Sequence, residues 1–255
     1  MDIKYRVMSR IRSKLPLKVS LYLDRRKMRE IGRQDLMDSI HVAQLRERVI
    51  QSNTSIEYLQ LAHEIFKILQ IDSEIIGLIK KVKEYKPEVI GEIGTFECGN
   101  LFLMTHAIPS IKKVVAIDLV FQHKGLFEAL SGSDRELGFF EGYSTCNKIF
   151  RKVKHFLGDD KFDLLFIDGD HTYEGVKGDF EKYRCLVKDG GLIVFHDVVP
   201  DLTTRMKSDV PLSKAYAGGV PIFWSEIKNK YKSYEFIDDP DQDGYGIGLI
   251  EYWVN

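Results

Sequence analysis

Downstream of Pro87, hydrophobic residues occur in short runs that alternate with segments of helical periodicity. Three of the runs, around Val115, Phe166 and Val194, are almost continuously apolar. Strands that are buried on both faces have this pattern, as in a parallel sheet covered by helices. The pattern predicts five parallel strands: Glu88–Ile93, Lys113–Leu119, Phe139–Tyr143, Phe162–Asp168 and Gly191–His196.

The C-terminal residues follow a different pattern. Tyr234–Ile237 and Gly246–Val254 flank a turn rich in Asp, Pro and Gly, which predicts an antiparallel hairpin. Five parallel strands followed by such a hairpin resemble the layout of class I methyltransferases, whereas a dinucleotide-binding fold is expected to continue with parallel βαβ units. The predicted class is therefore α/β, a Rossmann-like class I methyltransferase fold with a mainly parallel sheet and a helical N-terminal extension.

The region before Pro87 has helical patterns and an uneven distribution of charge. Thr54 and Glu57 have the spacing of a capping box, and Ser73 opens a second predicted helix. The net charge of −1 divides into +8 for residues 1–33 and −9 for the remainder. Apolar residues between Ile3 and Leu15 share one helical face, which predicts a short interfacial helix and a peripheral membrane contact. A solvated arm, or a surface used to form a homo-oligomer, is the favoured interpretation of the same pattern, and a homo-oligomer is expected.

The composition of the chain indicates where the protein is located and which partners are not expected. No apolar run is long enough to cross a bilayer and no signal-peptide pattern is present, so we expect a cytoplasmic location. The acidic body has no interleaved basic and aromatic stripe, so no nucleic-acid partner is expected. The three cysteines are widely spaced, which argues against a disulfide framework or a zinc site. We expect each of them to be a small, buried apolar residue.

The loop EIGTFECGN, residues 92–100, follows the first predicted strand. Gly94 permits the sharp turn off the strand, and Gly99 is expected to let the following helix pack close to the sheet. Glu92, at the carboxyl end of the strand, can hold the ammonium of a methionine moiety. Asp118 ends the second strand, where a carboxylate can accept both ribose hydroxyls.

The residues that follow the third strand complete the cofactor prediction. Gly142 and Ser144 are predicted to line an adenine pocket. Phe96 stands two residues after Gly94, so the GxGxxG pattern of NAD-binding proteins is absent. Together these features favour S-adenosylmethionine (SAM) as the cofactor. The alternative is that the glycines and acids have only structural roles at the ends of strands.

The segment from residue 163 to residue 198 carries the candidate chemistry. One apolar strand delivers Asp168, Asp170 and His171 to its carboxyl end, and the next delivers His196 and Asp197. Adjacent strand ends beside the cofactor crevice are where open α/β sheets place their chemistry.

The blocks FIDGDHTYEGV and GGLIVFHDV, with a weaker match in GGVPIFWSEIK, resemble a methyltransferase family. This family includes bacterial O-methyltransferases of macrolide sugars and cephalosporin-hydroxylase-like proteins. The resemblance covers about residues 85–200. It implies that Asp168 serves as a cofactor-site and metal-binding carboxylate, that His171 is the general base, and that His196 and Asp197 replace a second acidic pair. A histidine in that pair departs from the family pattern, because Mg²⁺ prefers oxygen ligands.

Several alternatives stay open for individual residues. His196 is either a metal ligand or a residue that orients the ligands, and His171 is either a base with an ordinary pKa, neutral at cytoplasmic pH, or a structural residue. Asp170 is expected to cap the helix that begins near Tyr173. The Pro- and Gly-containing segment 199–223 is either a substrate lid or a loop that packs its own aromatic residues.

The overall prediction is a SAM-dependent O-methyltransferase for a hydroxylated small molecule, such as a sugar or glycoconjugate, assisted by Mg²⁺ or another divalent metal. Residues 1–85 form the predicted basic arm and helical extension, and residues 86–255 form the predicted SAM-binding domain. An NAD-linked oxidoreductase and a non-catalytic SAM-binding scaffold are the alternatives.

Overall fold

The computed structural model describes residues 39–208, 210–212 and 216–254. The interfacial helix predicted near the N-terminus lies outside these residues, so it stays a prediction. The strands are β1 Val89–Ile93, β2 Lys113–Asp118, β3 Glu136–Glu141, β4 Phe162–Ile167, β5 Val187–His196, β6 Lys232–Phe236 and β7 Ile247–Tyr252. The helices are α1 Ser39–Gln51, α2 Ser55–Ile65, α3 Asp72–Lys83, α4 Gly99–Ala107, α5 Lys124–Leu130, α6 Asn147–Leu157, α7 Tyr173–Tyr183, α8 Leu202–Arg205 and α9 Val220–Ile227.

The strands form one sheet in the order β3-β2-β1-β4-β5-β7-β6. Strands β1 to β5 pair in parallel, and β7 is antiparallel to both β5 and β6. This arrangement confirms the predicted fold class, including the C-terminal hairpin. Among the residues described, no helix is both long and apolar enough to cross a membrane.

Each central strand contributes to two apolar cores, one on either face of the sheet. In β4, Leu164 and Phe166 belong to the core beneath the N-terminal helices, while Leu165 and Ile167 belong to the opposite core beneath α6, α7 and α9. Successive side chains of a strand point to opposite faces, so burial on both faces requires the continuous apolar runs seen in the sequence.

The predicted element boundaries differ from the structure in a few places. Helix α1 was not predicted. Strand β5 begins at Val187 rather than Gly191, and its pairing with β4 shifts between Phe162 and Leu164. The prediction that the cysteines are buried is right for Cys98 and wrong for Cys146 and Cys185, which are exposed.

The N-terminal extension packs directly against the sheet domain. Helix α2 begins at the predicted capping box, in which Thr54 and Glu57 bond reciprocally. The Phe66 and Phe102 rings lie 5.1 Å apart, centroid to centroid, and residues of α2 and α3 share the apolar core of the sheet face. In α3, buried Glu74 accepts hydrogen bonds from the Gly246 N–H at 3.0 Å and the Gln242 amide at 2.8 Å, so the extension also holds the β6–β7 loop.

Candidate active site

The loop after β1 is held between the ends of two neighbouring strands. The Gly94 N–H donates to the Ile117 carbonyl at 2.9 Å, and the Asp168 N–H donates to the Ile93 carbonyl at 2.8 Å. Gly94 has a φ of +86°, and a Cβ there would lie 1.8 Å from the Asp168 carbonyl oxygen. The sharp turn therefore requires glycine at this position, as predicted.

Helix α4 begins directly after this loop, at Gly99. A Cβ on Gly99 would lie 2.4 Å from the Lys67 carbonyl oxygen. The close approach is thus to the connector between α2 and α3 and not to the sheet, so the predicted reason for this glycine is wrong. A glycine at this point lets the N-terminal extension reach the edge of the loop after β1.

Glu92 is almost completely buried at the end of β1, with 1% of its surface exposed. Its Oε1 accepts a hydrogen bond from the Asn100 amide at 2.6 Å, whereas its Oε2 has no hydrogen-bond partner among the described residues. Burial raises the pKa of Glu92 to about 8, and the hydrogen bond from Asn100 offsets only part of that effect. A carboxylate in this situation is suited to a cationic partner.

Asp118 ends β2 beside the same loop. Its carboxylate accepts the Phe96 N–H at 2.7 Å and the Val120 N–H at 3.3 Å. Burial raises the pKa of Asp118 in spite of these bonds. The two backbone donors fix the carboxylate at the carboxyl edge of the sheet, where the sequence analysis placed the ribose-binding acid.

The loop after β3 reaches the same edge and rests on α7. The Gly142 N–H donates to the Asp118 carbonyl at 2.8 Å, and the Tyr183 hydroxyl donates to the Ser144 carbonyl at 2.8 Å. Beneath this loop lies Asp179, a buried acid that was not predicted as part of the site. Burial raises the pKa of Asp179 to about 6.

Four side chains from the ends of β4 and β5 form a compact acid–imidazole cluster, as predicted: Asp168, His171, His196 and Asp197. The Asp168 Oδ1 atom lies 3.4 Å from His171 Nε2 and 3.4 Å from His196 Nδ1. The Asp197 Oδ2 atom lies 3.4 Å from His171 Nδ1 and 3.3 Å from His196 Nδ1. Asp197 has a φ of +60°, a strained conformation for a non-glycine residue, and such strain is often found at functional sites.

Within this cluster, the donor atoms of Asp168, His171 and Asp197 lie within 4.8 Å of one another and could hold a metal ion. Asp168 and Asp197 are predicted ligands, and the third donor is His171 in place of His196, for which ligation was one of two predicted roles. His196 is buried and faces the same carboxylates through Nδ1, while its Nε2 has no partner in the described part of the chain. This geometry matches a residue that orients the two carboxylates.

Opposite charges within the cluster shift the pKa values of Asp168 and His171 in opposite directions. Burial disfavours ionisation of Asp168, but the two imidazoles outweigh it and hold its pKa well below the usual range. Burial also disfavours protonation of His171, but Asp168 and Asp197 raise its pKa to about 9. The expectation of an ordinary imidazole pKa for His171 is therefore wrong, because two carboxylates surround the ring.

The segment after residue 215 fixes the orientation of the His171 ring. His171 Nδ1 lies 2.6 Å from the Tyr216 carbonyl, so Nδ1 carries a proton whether the ring is neutral or charged, and Nε2 faces Asp168. The Gly219 N–H donates to the His171 carbonyl at 2.7 Å, and a Cβ on Gly218 would lie 2.3 Å from that same oxygen. A backbone carbonyl has no sequence signature, so the role of Tyr216 was not predicted.

Two further contacts differ from the predictions. The N-cap of α7 is Thr172, whose hydroxyl accepts the Gly175 N–H at 3.0 Å; Asp170 instead accepts the Thr172 N–H at 2.9 Å, one step before the helix. The Gln70 side chain, from the α2–α3 connector, donates to Asp168 Oδ2 at 3.0 Å. Gln70 lies 98 residues before Asp168, and nothing in its local sequence marks it.

Comparison with known families gives a match over most of the described chain. Residues 55–237 match the family described as Rhamnosyl O-methyltransferase/CmcI. An uncharacterized protein, R132, from Acanthamoeba polyphaga mimivirus is 37% identical over 114 residues, covering 42% of this chain. The aligned region spans about half of that relative, 49% of its length.

Solved structures with the same fold include two O-methyltransferases. The enzyme from Bacillus cereus, in complex with S-adenosylhomocysteine (SAH), aligns with a TM-score of 0.57 and 17% identity over 79% of this chain and 91% of that chain. The O-methyltransferase TomG from Streptomyces achromogenes, involved in tomaymycin synthesis and in complex with SAM, aligns with a TM-score of 0.53 and 19% identity over the same shares, 79% and 91%.

Proposed function

The chain belongs to the Rhamnosyl O-methyltransferase/CmcI family, and from that premise we propose that it transfers a methyl group from SAM to a hydroxyl of a small molecule. The observation that carries the proposal is the convergence of Glu92, Asp118 and the acid–imidazole cluster at one edge of the sheet. A buried acid suited to a cation and a histidine suited to proton transfer then lie at the same edge of the sheet.

The ends of β1 and β2 carry two carboxylates that are suited, as hydrogen-bond acceptors, to SAM. Glu92 would hold the ammonium group, because its Oε2 is buried without a partner among the described residues. Asp118, fixed by two backbone N–H groups, would accept the ribose hydroxyls. SAM supplies an electrophilic methyl group, so that a C–O bond forms as the C–S bond breaks and SAH is left.

The acid–imidazole cluster is suited to a divalent cation. Asp168 and Asp197 would hold it, and carboxylate oxygens are ligands that suit Mg²⁺ and Mn²⁺ alike. A cation there supplies positive charge that lowers the pKa of an acceptor hydroxyl beside it. Two adjacent hydroxyls of a sugar or glycoconjugate offer matching oxygen atoms, which is why we propose an acceptor of this kind.

In this proposal His171 is the general base. The Tyr216 carbonyl holds the proton on Nδ1, so Nε2 is the nitrogen that takes the hydroxyl proton. The raised pKa of His171 comes from the charges of Asp168 and Asp197. Compensation of those charges lowers the pKa towards that of free imidazole, and the neutral ring can then act as a base.

Calorimetric titration with SAH, with and without Mn²⁺, and with NAD as a competing ligand tests the cofactor. We expect micromolar SAH binding and no NAD binding. An acceptor screen among sugars and other diols, followed by release of SAH, then tests the reaction. NAD binding without SAH binding would replace the methyltransferase with the oxidoreductase alternative.

His171→Ala tests the base, with His155→Ala as the matched control, because His155 is exposed on α6, away from the cluster. We expect turnover to fall by about 100-fold or more in His171→Ala, with SAH affinity unchanged, and no change in His155→Ala. SAH binding without turnover in wild type, or equal turnover in the two variants, would contradict the assigned role.

A further inference from the structure

The α2–α3 connector of the N-terminal extension contributes a side chain to the acid–imidazole cluster. Gln70 is 7% exposed, and its Nε2 donates to Asp168 Oδ2 at 3.0 Å. The connector lies outside the sheet and outside the two segments that supply the cluster. The contact therefore joins the extension to the chemistry, in addition to the apolar packing already described.

Backbone packing brings the connector to this position. Gly99 allows the Lys67 carbonyl to lie against the first turn of α4, where a Cβ would lie only 2.4 Å from it. On either side of Lys67, Phe66 packs on Phe102 and Ile68 is buried in the apolar core. The connector is thus held at the carboxyl edge of the sheet, and the Gln70 side chain has a defined starting point.

The hydrogen bond from Gln70 gives the two oxygens of Asp168 different partners. Oδ2 accepts from Gln70, which leaves Oδ1 directed at both His171 Nε2 and His196 Nδ1, each 3.4 Å away. The amide is neutral, so it orients the carboxylate without compensating the charge that a cation or an imidazolium needs. The amide is also locked, because a flip would place its own oxygen against the carboxylate.

We infer that Gln70 is a positioning residue for Asp168, which keeps Oδ1 available to a divalent cation and to His171. The assignment of chemistry to this cluster rests on the proposed function, whereas the orientation of Asp168 does not. Groups that orient a ligating carboxylate change metal affinity by about 10–100-fold when they are removed. We therefore expect a loss of about 10-fold in Mn²⁺ affinity when the Gln70 amide is removed.

The test is Mn²⁺ binding to the full chain, followed by the electron paramagnetic resonance signal of the free ion. Gln70→Met keeps side-chain length and removes the donor. Gln242→Met is the matched control, because Gln242 donates to Glu74 of the same extension at 2.8 Å without touching the cluster. We expect weaker Mn²⁺ binding in Gln70→Met alone, with SAH affinity in the absence of metal unchanged in both variants.

Gln70→Asn is measured in parallel, because it withdraws the donor while keeping an amide if the methionine variant does not fold. Wild-type affinity in both Gln70 variants would overturn the inference, and so would a wild-type chain that binds SAH but no Mn²⁺. A chain that binds Mn²⁺ more weakly in the Gln70 variants but never binds SAH would support the inference and refute the proposed methyl transfer.

Discussion

Glu92→Gln separates the effect of the buried carboxyl group on folding from its effect on cofactor binding. The pKa of Glu92 is about 8 in the folded chain, against an ordinary value of 4.5. At pH 7 this carboxyl group is ionised in the unfolded chain and mostly protonated in the folded chain. The interval from the ordinary pKa of 4.5 to pH 7 is 2.5 units. At 1.36 kcal/mol per unit, the group opposes folding by about 3 kcal/mol, and glutamine removes that term.

The sign of the pH dependence follows from the raised pKa. The destabilisation is absent below about pH 4.5, grows as the pH rises, and levels off above about pH 8. We expect Glu92→Gln to raise the Tm of the cofactor-free chain by up to roughly 6–12 °C at pH 7, and by much less at pH 5. Differential scanning fluorimetry and urea unfolding at pH 5, 7 and 8 measure this, with Glu128→Gln, an exposed glutamate of α5, as the control.

Binding should change in the opposite direction. Loss of a charge-assisted contact with the ammonium is worth about 1.5–3 kcal/mol, or about 10–100-fold in SAH affinity. In the wild-type chain, binding requires Glu92 to ionise, so affinity should rise with pH up to about pH 8 and a proton should be released at pH 7. A stability gain of the variant over wild type that is no larger at pH 8 than at pH 5, or SAH binding as tight as in wild type, would refute this account of Glu92.

Three other substitutions test neighbouring parts of the site. Gly94→Ala places a Cβ 1.8 Å from the Asp168 carbonyl, so we expect no folded protein in expression trials; a folded variant would contradict the required turn. Gly218→Ala places a Cβ 2.3 Å from the His171 carbonyl at a φ of +58°, so turnover should fall at least about 10-fold with SAH affinity kept; unchanged kinetics would exclude a role for this segment. Asp179→Asn should raise the Tm at pH 7 and not at pH 4, because burial raises the pKa of Asp179 to about 6; a lower Tm at pH 7 would mean that the charged form is needed.

Most of the fold could be predicted from the sequence, because strands that are buried on both faces, such as β1, β2, β4 and β5, are short runs of mainly apolar residues. The start of β5 was missed because Lys188, Asp189 and Gly190 interrupt the apolar run between Val187, which pairs with Phe162, and Leu192, which pairs with Leu164. Helix α1 was missed for a related reason. Its only buried residues among those with described side chains are Leu45 and Val49, so its apolar stripe is narrow.

The candidate site was predictable where its residues are close in sequence. Asp168 with His171, and His196 with Asp197, follow directly after apolar strands, and adjacent parallel strands bring their carboxyl ends together. Gln70 and the Tyr216 carbonyl enter from separate segments, and their contacts depend on packing that no local pattern encodes. The raised pKa of His171 was not predicted for the same reason, because it arises from two carboxylates that only the fold brings close to the ring.

The distribution of charge at this edge bears on which cofactor the site accepts. Four acids lie there: Glu92, Asp118, Asp168 and Asp197. Two imidazoles face Asp168 and Asp197, whereas Glu92 faces no cation in the part of the chain that the structure describes. The negative pyrophosphate of NAD would be brought towards these carboxylates, and like charges in a site of low dielectric repel strongly. The sulfonium and ammonium of SAM instead provide the missing positive charge. The uncompensated negative charge at the strand ends thus favours SAM over a dinucleotide. The glycine loop alone would not distinguish the two cofactors.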